Sequence, residues 1–218
     1  MSVEKANVLL IHGLLSNPLE MAYLGVQLEK HGLKTHYVFY PSIMKTLEEN
    51  TQPIKEKIKD IGPVDTLHLV AHSLGGLLLA HLFENGFEMP EGRILTLGSP
   101  IKGSVTAKEL SKWPMTSDIL AKSMPKALSG EGVPQWSSDR DWGMIAGTKN
   151  AGLGALIGGL PGESDGTVLL EETYHPSQKA HKTVDKTHTG LLFSKNVAKL
   201  TAKFLSVSYT HLTLPTKA

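Results

Sequence analysis

The sequence contains no cysteine, and this excludes disulfide bonds, thiolate metal sites and a cysteine nucleophile. An excess of charge of one sign is also missing, because 22 lysines and arginines face 21 acidic residues and the net charge is +1. No run of basic residues occurs. The chain therefore gives no electrostatic reason to expect nucleic acid or an anionic membrane surface as a partner.

Long hydrophobic runs are absent as well. The first apolar run, Val8–Ile11, stops at His12 and Gly13, too early for the core of a signal peptide or for a transmembrane helix. We therefore expect a cytoplasmic protein without stable membrane insertion. Neither H-E-x-x-H nor a calcium-loop pattern occurs, so we expect no metal and no other cofactor.

What the sequence does contain is a regular alternation of strand-like and helix-like segments. The 218 residues, 40% of them hydrophobic, suffice for one sizeable core. Apolar, β-prone runs predict strands at 7–13, 35–41, 66–72, 92–100 and 142–148. Apolar spacing and cap residues predict helices at 17–31, 54–62, 74–86 and 194–205. This order predicts an α/β fold with a mostly parallel sheet flanked by helices.

The segment LVAHSLGG, residues 69–76, ends a buried strand on a serine and continues through two glycines into a helix. A sharp turn here would lift Ser73 above the carboxyl edge of the sheet, and only small residues such as Ala71 and Gly75 fit beside it. The following helix N-terminus supplies free N–H groups where an oxyanion would form. The alternative interpretation is a serine that only caps the next helix.

The motif A-H-S-L-G, together with the upstream His12-Gly13-Leu14, resembles the α/β-hydrolase superfamily and specifically its bacterial lipase and esterase branch. The sequence departs from G-x-S-x-G at Ala71, a position where some bacterial lipases similarly carry alanine. The resemblance implies a Ser-Asp-His triad in that chain order, with Ser73 as the nucleophile. It also implies an oxyanion hole made by the backbone N–H groups of Leu14 and Leu74.

The resemblance points to His188 as the base, since this residue lies between a polar strand-like run and the last helix. His175 and His181 remain alternatives. Asp165 is the expected acid, because Asp-Gly-Thr-Val resembles the acid loop of the superfamily. The other acidic residues considered are Glu163, Asp185, Asp139 and Asp141.

Three further segments carry expectations. Residues 101–138 form an insertion that is either a small cap lining an acyl pocket or an ordinary crossover packed on the core. The glycine-rich segment 151–162 lacks the phosphate-loop pattern and is expected to form an apolar rim. Residues 207–216, VSYTHLTLPT, look like one reading frame of the transposon-end adapter that is used to prepare sequencing libraries. This adapter occurs in error at the ends of assembled metagenomic genes. We thus expect a domain at 1–205 and a non-native tail at 206–218, the alternative being a natural tail that docks on the domain.

These observations predict a serine hydrolase that cleaves a small-molecule or lipid carboxylic ester through an acyl-enzyme intermediate. A thioesterase or acyltransferase with the same triad is the first alternative. A non-catalytic binding protein of the same fold is the second.

Overall fold

A parallel sheet of six strands lies at the centre of the computed structural model, which describes residues 5–43, 45–113 and 132–206. The strands are β1 (Asn7–Ile11), β2 (Lys34–Val38), β3 (Leu67–His72), β4 (Ile94–Leu97), β5 (Trp142–Gly147) and β6 (Ala180–Val184). Their order across the sheet is β2-β1-β3-β4-β5-β6, and every neighbouring pair is parallel.

Helices cover both faces of this sheet. They are α1 (Pro18–Lys30), α2 (Leu47–Ile61), α3 (Leu74–Glu84), α4 (Val105–Leu110) and α5 (Lys195–Ser206). Short 3₁₀ turns occur at Leu153–Ile157, Leu170–Thr173 and Thr189–Leu191. Helices α2 and α3 contact each other in one layer, and α1 and α5 contact each other in a second layer.

Side chains of β3 alternate between the two layers. Leu67, Leu69 and Ala71 belong to the core on the α2 and α3 side, whereas Val70 belongs to the core on the α1 and α5 side. A strand buried on both faces needs apolar residues at every position, and this explains the continuous apolar runs of the sequence.

The strand order has a switch point between β1 and β3. The chain goes from β1 outward to β2, returns to β3 on the other side of β1, and then continues outward through β4, β5 and β6. Loops that leave the carboxyl ends of β1 and β3 therefore diverge and open a crevice at this edge, which is where open α/β sheets bind ligands.

The structure confirms the predicted fold class. The five predicted strands are present within a few residues of their expected bounds, and β6 is the polar strand-like run before His188. The expected start of the second helix at Ile54 is wrong, because α2 begins seven residues earlier. Thr46 and Glu49 form a reciprocal capping box there, and Pro53 is accommodated inside the helix.

The insertion 101–138 is described only at its two ends. Its first part contains α4, and near its other end Trp136 is buried and stacks on Trp142 with ring centroids 3.6 Å apart. Trp136 thus packs on the main core. Met115, Leu120 and Met124 lie outside the described residues.

Helix α5 ends at Ser206, one residue past the expected end of the domain at 205. Residues 207–218 lie outside the described part of the chain. Across the described ranges, none of the helices combines the length and the apolar character that crossing a membrane requires.

Candidate active site

Ser73 occupies the turn between β3 and α3 at the carboxyl edge of the sheet. Its backbone has φ 53° and ψ −120°, a conformation that L-residues rarely adopt. Such strain costs on the order of 1–3 kcal/mol and persists only where the surroundings enforce it. One contact that holds this turn is a hydrogen bond from the Ser73 N–H group to the carbonyl oxygen of Leu97 at 2.9 Å.

Helix α3 approaches the neighbouring strands too closely for side chains at its start. A Cβ atom at Gly75 would lie 2.9 Å from the carbonyl oxygens of both Ile11 and His12, and one at Gly76 would collide with the Ser99 side chain. The two small residues after the serine are therefore a steric requirement of this turn, in agreement with the sequence interpretation.

Asp165 and His188 form a hydrogen-bonded pair. The Asp165 Oδ2 atom lies 2.7 Å from Nδ1 of His188, and the Asp165 residue is 1% exposed. Its other oxygen, Oδ1, accepts the N–H groups of Thr167 at 3.0 Å and Val168 at 2.8 Å. A carboxylate beside Nδ1 holds the ring proton there, and in the neutral ring Nε2 then keeps the lone pair that a general base needs.

Gly98, directly after β4, makes room for this pair. Its φ is +56°, and a Cβ atom at this position would lie 3.0 Å from Oδ2 of Asp165 and 3.1 Å from Nδ1 of His188. Both the backbone conformation and the close approach therefore require glycine.

The other candidate histidines are occupied elsewhere. The ring of His175 lies against Trp142 with centroids 5.3 Å apart. The Nε2 atom of His181 lies 2.8 Å from Oγ1 of Thr173, and its ring stacks on Tyr174. Neither histidine contacts Asp165 among the described hydrogen bonds.

Two of the alternative acidic residues have other surroundings. Asp141 pairs with Arg93 at 3.5 Å, and Asp185 is exposed. The structure thus brings Asp165 and His188 together as the sequence interpretation expected. It does not join Ser73 to His188 by a hydrogen bond within the described residues, and such bonds often tighten only when substrate is bound.

The loop after β1 lies directly against the serine. A Cβ atom at Gly13 would be 3.0 Å from the Cβ atom of Ser73, so the backbone that leads into Leu14 borders Ser73. Leu74, on the other side, is the first residue of α3, where a backbone N–H group has no partner within the helix.

Residues after β2 hold this loop in place. The N–H group of Leu15, a residue with φ 55°, donates to Oγ of Ser42 at 3.1 Å. Nε2 of His12 accepts the N–H of Tyr40 at 3.4 Å, so Nδ1 carries the proton and donates to the carbonyl of Gly13 at 2.9 Å. Burial lowers the pKa of His12, which keeps its ring neutral. His12 therefore fixes the loop that follows β1.

No protein-family model matches the chain, and no curated protein matches it. Solved structures do match. A Bacillus licheniformis lipase in its mature form shares 19% identity at a TM-score of 0.75, with 93% of each chain covered. A metagenomic carboxyl esterase shares 15% identity at a TM-score of 0.68, over 93% of this chain and 75% of the other.

A third similar structure is a pyrethroid hydrolase, with 14% identity and a TM-score of 0.57 over 92% of this chain and 98% of the other. Together with the parallel sheet and the strained serine turn, these similarities identify the architecture. The chain has the α/β-hydrolase fold.

Within this α/β-hydrolase fold, two buried side chains near the site were missed by the sequence interpretation. The ring of His72 lies 4.6 Å from the ring of His188, centroid to centroid. Strand alternation is the signal that could have revealed it, because His72 falls on the same side of β3 as Val70.

Glu172 is the second missed residue. Its Oε1 accepts the N–H of Val105 at 2.6 Å and its Oε2 accepts the N–H of Leu169 at 2.8 Å. The carboxylate thereby joins the start of α4 to the segment that follows Asp165. Burial raises the pKa of Glu172 to about 7. No pattern in the sequence marks this residue, because both of its partners are backbone N–H groups, which any residue type provides. Val105 is distant in the sequence and Leu169 is near.

Proposed function

We propose that this α/β-hydrolase is a serine hydrolase that cleaves carboxylic esters. In this proposal Ser73 is the nucleophile, His188 the general base and Asp165 the acid that orients the imidazole. The observation that carries the proposal is the 2.7 Å pair of Asp165 and His188 at the same edge of the sheet as the strained serine turn.

Acylation would begin when Oγ of Ser73 attacks the ester carbonyl carbon and its proton passes to Nε2 of His188. The negative charge that develops on the carbonyl oxygen would be stabilised by the N–H groups of Leu14 and Leu74. The tetrahedral intermediate then collapses, the bond to the alkoxy oxygen breaks, and His188 returns its proton to the leaving alcohol. An acyl-enzyme on Ser73 remains.

Deacylation repeats these steps with water as the nucleophile. His188 takes a proton from water while the hydroxide attacks the acyl carbon, and the same two N–H groups stabilise the second tetrahedral intermediate. Oγ of Ser73 leaves and recovers its proton from His188. Asp165 stays ionised throughout and stabilises the imidazolium that forms twice in each cycle.

An apolar ester is the substrate class that the surroundings of the site favour. Several large apolar side chains, each more than half exposed, lie in segments that follow the carboxyl ends of strands. They are Leu15, Leu19, Phe39, Leu156 and Phe193. Apolar groups exposed after the carboxyl ends of strands would favour contact with an apolar ligand. The names lipase and carboxyl esterase of two similar structures agree with this proposal.

Labelling with a fluorophosphonate probe tests the nucleophile. We expect one covalent adduct per chain, located by peptide mass spectrometry on Ser73 and absent in Ser73→Ala. Ser177→Ala, a change at an exposed residue of the segment before β6, provides a control that should label like the wild type. A wild-type protein that remains unlabelled would refute the proposal.

Hydrolysis of nitrophenyl esters with acyl chains of increasing length tests the substrate class. We expect turnover, with kcat/KM rising from acetate toward longer chains because each buried methylene adds roughly 0.8 kcal/mol of transfer free energy. Faster turnover of matched thioesters than of oxygen esters would instead assign the chain to the thioesterases.

A further inference from the structure

We propose that His72 is a positioning residue that fixes the base His188 relative to the nucleophile. This inference rests on the proposed function, because it assigns His72 a part in the same reaction. His72 is the residue directly before Ser73, it is 5% exposed, and its side chain points to the α1 and α5 side of the sheet, where the segment carrying His188 packs.

Two contacts connect His72 to His188. The Nε2 atom of His72 lies 3.2 Å from the carbonyl oxygen of His188, and the two imidazole rings are 4.6 Å apart at an angle of 43°. A carbonyl oxygen only accepts hydrogen bonds, so Nε2 of His72 carries the proton and donates it.

The His72 ring is neutral. Its Nδ1 atom is buried and has no hydrogen-bond partner among the described residues, so a second proton there would find no acceptor. Burial and the neighbouring His188 and His12 hold the pKa of His72 well below its ordinary value. A neutral neighbour is what the proposed base requires, because a cation beside its ring would oppose the imidazolium that forms during catalysis.

Among the described residues, three hydrogen bonds hold His188, and the bond from His72 leads to the strand before Ser73. The backbone N–H of His188 donates to the carbonyl of Asp165 at 2.9 Å, and its ring Nδ1 bonds to the Asp165 carboxylate. Both contacts fix the base to the acid. The bond from His72 fixes it to the strand that ends on Ser73, so the distance between nucleophile and base depends on this contact.

Two substitutions separate the hydrogen bond from the ring volume. His72→Phe keeps a planar ring but has no donor, whereas His72→Gln keeps an amide N–H near the position of Nε2. Misplacing a catalytic group by about 1 Å can cost 10²-fold in rate. We expect kcat to fall about 10- to 100-fold in His72→Phe with KM within about threefold of wild type, and most of that loss to be restored in His72→Gln.

His68→Phe is the matched control. His68 is buried on the same strand, and its Nδ1 accepts the N–H of Arg93 at 2.9 Å, far from the site at the opposite end of β3. We expect His68→Phe to lower the melting temperature while kcat stays near the wild-type value. A folded His72→Phe variant with wild-type kcat, or an equal kcat loss in both Phe variants, would overturn the positioning role.

A measurement on the wild-type protein keeps the inference testable if His72→Phe does not fold. In wild-type protein, ¹⁵N NMR of the histidine rings should show His72 as a neutral Nε2–H tautomer at pH 6.5, where an ordinary histidine is half protonated, and an Nδ1–H tautomer or a charged ring would overturn the proposal. Fluorophosphonate labelling separates the two hypotheses. An unlabelled wild type refutes the proposed function and this role with it, whereas equal labelling rates in wild type and His72→Phe refute only the role of His72.

Discussion

Replacing Asp165 by asparagine is the most direct test of the site, because the three hydrogen bonds of the carboxylate determine how the amide must lie. Oδ1 accepts the N–H groups of Thr167 and Val168, and Oδ2 faces Nδ1 of His188. An asparagine oxygen can take over only one of these two positions. Its amide nitrogen, a donor, must occupy the other.

Hydrogen-bond energies decide between the two orientations. With the amide nitrogen toward Thr167 and Val168, two N–H donors would lose their acceptor, at about 1–3 kcal/mol each. With the oxygen there instead, the amide nitrogen faces His188 and its N–H requires a lone pair on Nδ1. The second arrangement is preferred, and it moves the ring proton of His188 to Nε2, where a base must be unprotonated.

This tautomer change predicts a fall in kcat of about 10⁴-fold with little change in KM. Four factors of ten correspond to about 5 kcal/mol in the activation free energy. Steady-state kinetics on a nitrophenyl ester, with the melting temperature measured in parallel, checks the prediction. Asp185→Asn is the control, since Asp185 is exposed and lies three residues from the histidine. A decrease below about tenfold in Asp165→Asn, or a larger one in Asp185→Asn, would refute the reasoning.

Four other predictions have defined outcomes. Ser73→Ala should abolish ester hydrolysis and leave circular dichroism and melting temperature close to wild type, since a hydroxyl at a surface turn adds little to the core; appreciable residual turnover would contradict the assignment. Gly98→Ala should lower both kcat and stability, the latter by about 1–2 kcal/mol for the positive φ alone, because its methyl group would lie 3.0 Å from Oδ2 of Asp165; wild-type kcat would show that the pair tolerates displacement. Acidification from pH 6.5 to 4 should lower the melting temperature. Burial lowers the pKa of His181 to about 4, so that only the unfolded chain takes up a proton at this residue between pH 6.5 and 4. His181→Gln should therefore weaken the dependence of the melting temperature on pH in this range. Glu172 changes the stability in the opposite direction, because its pKa of about 7 in the folded protein lies above the value in the unfolded chain. Its contribution to stability is lost as the pH rises through 7. A Glu172→Gln variant whose melting temperature depends on pH between 4.5 and 7 as in the wild type would contradict this.

The sheet could be predicted from the sequence because its signal is local. Strands buried on both faces are apolar at nearly every position, as in Val8–Ile11 and Leu67–Val70, and glycine or proline marks many of their ends. The start of α2 could not be predicted from apolar spacing, because its first two turns are polar and contain Pro53. The Thr46 and Glu49 capping box was the available signal for that helix.

In the candidate site, too, local features could be predicted from the sequence and contacts between distant residues could not. Ser73 could be selected from its neighbours alone, since a sharp turn between strand and helix demands small residues in fixed positions. The contact between His72 and His188 joins residues 116 positions apart. Strand alternation predicts the side of the sheet on which His72 lies, but the packing of the His188 segment against that side depends on the whole fold.

Backbone strain is concentrated at the same crevice. Leu15 and Ser73 are the non-glycine residues with positive φ in the described ranges, at 55° and 53°, and they lie on the loops that leave β1 and β3. Left-handed backbone costs an L-residue about 1–2 kcal/mol, and each of these is held by a specific bond, from Leu15 N–H to Ser42 Oγ and from Ser73 N–H to Leu97 O. The peptide group between Ser73 and Leu74 carries the N–H of Leu74, and the N–H of Leu14 belongs to the peptide group one residue before that of Leu15. A fold that relaxed at these positions would be more stable, and in the proposed mechanism the strain serves to aim the N–H groups of Leu14 and Leu74 at the developing oxyanion.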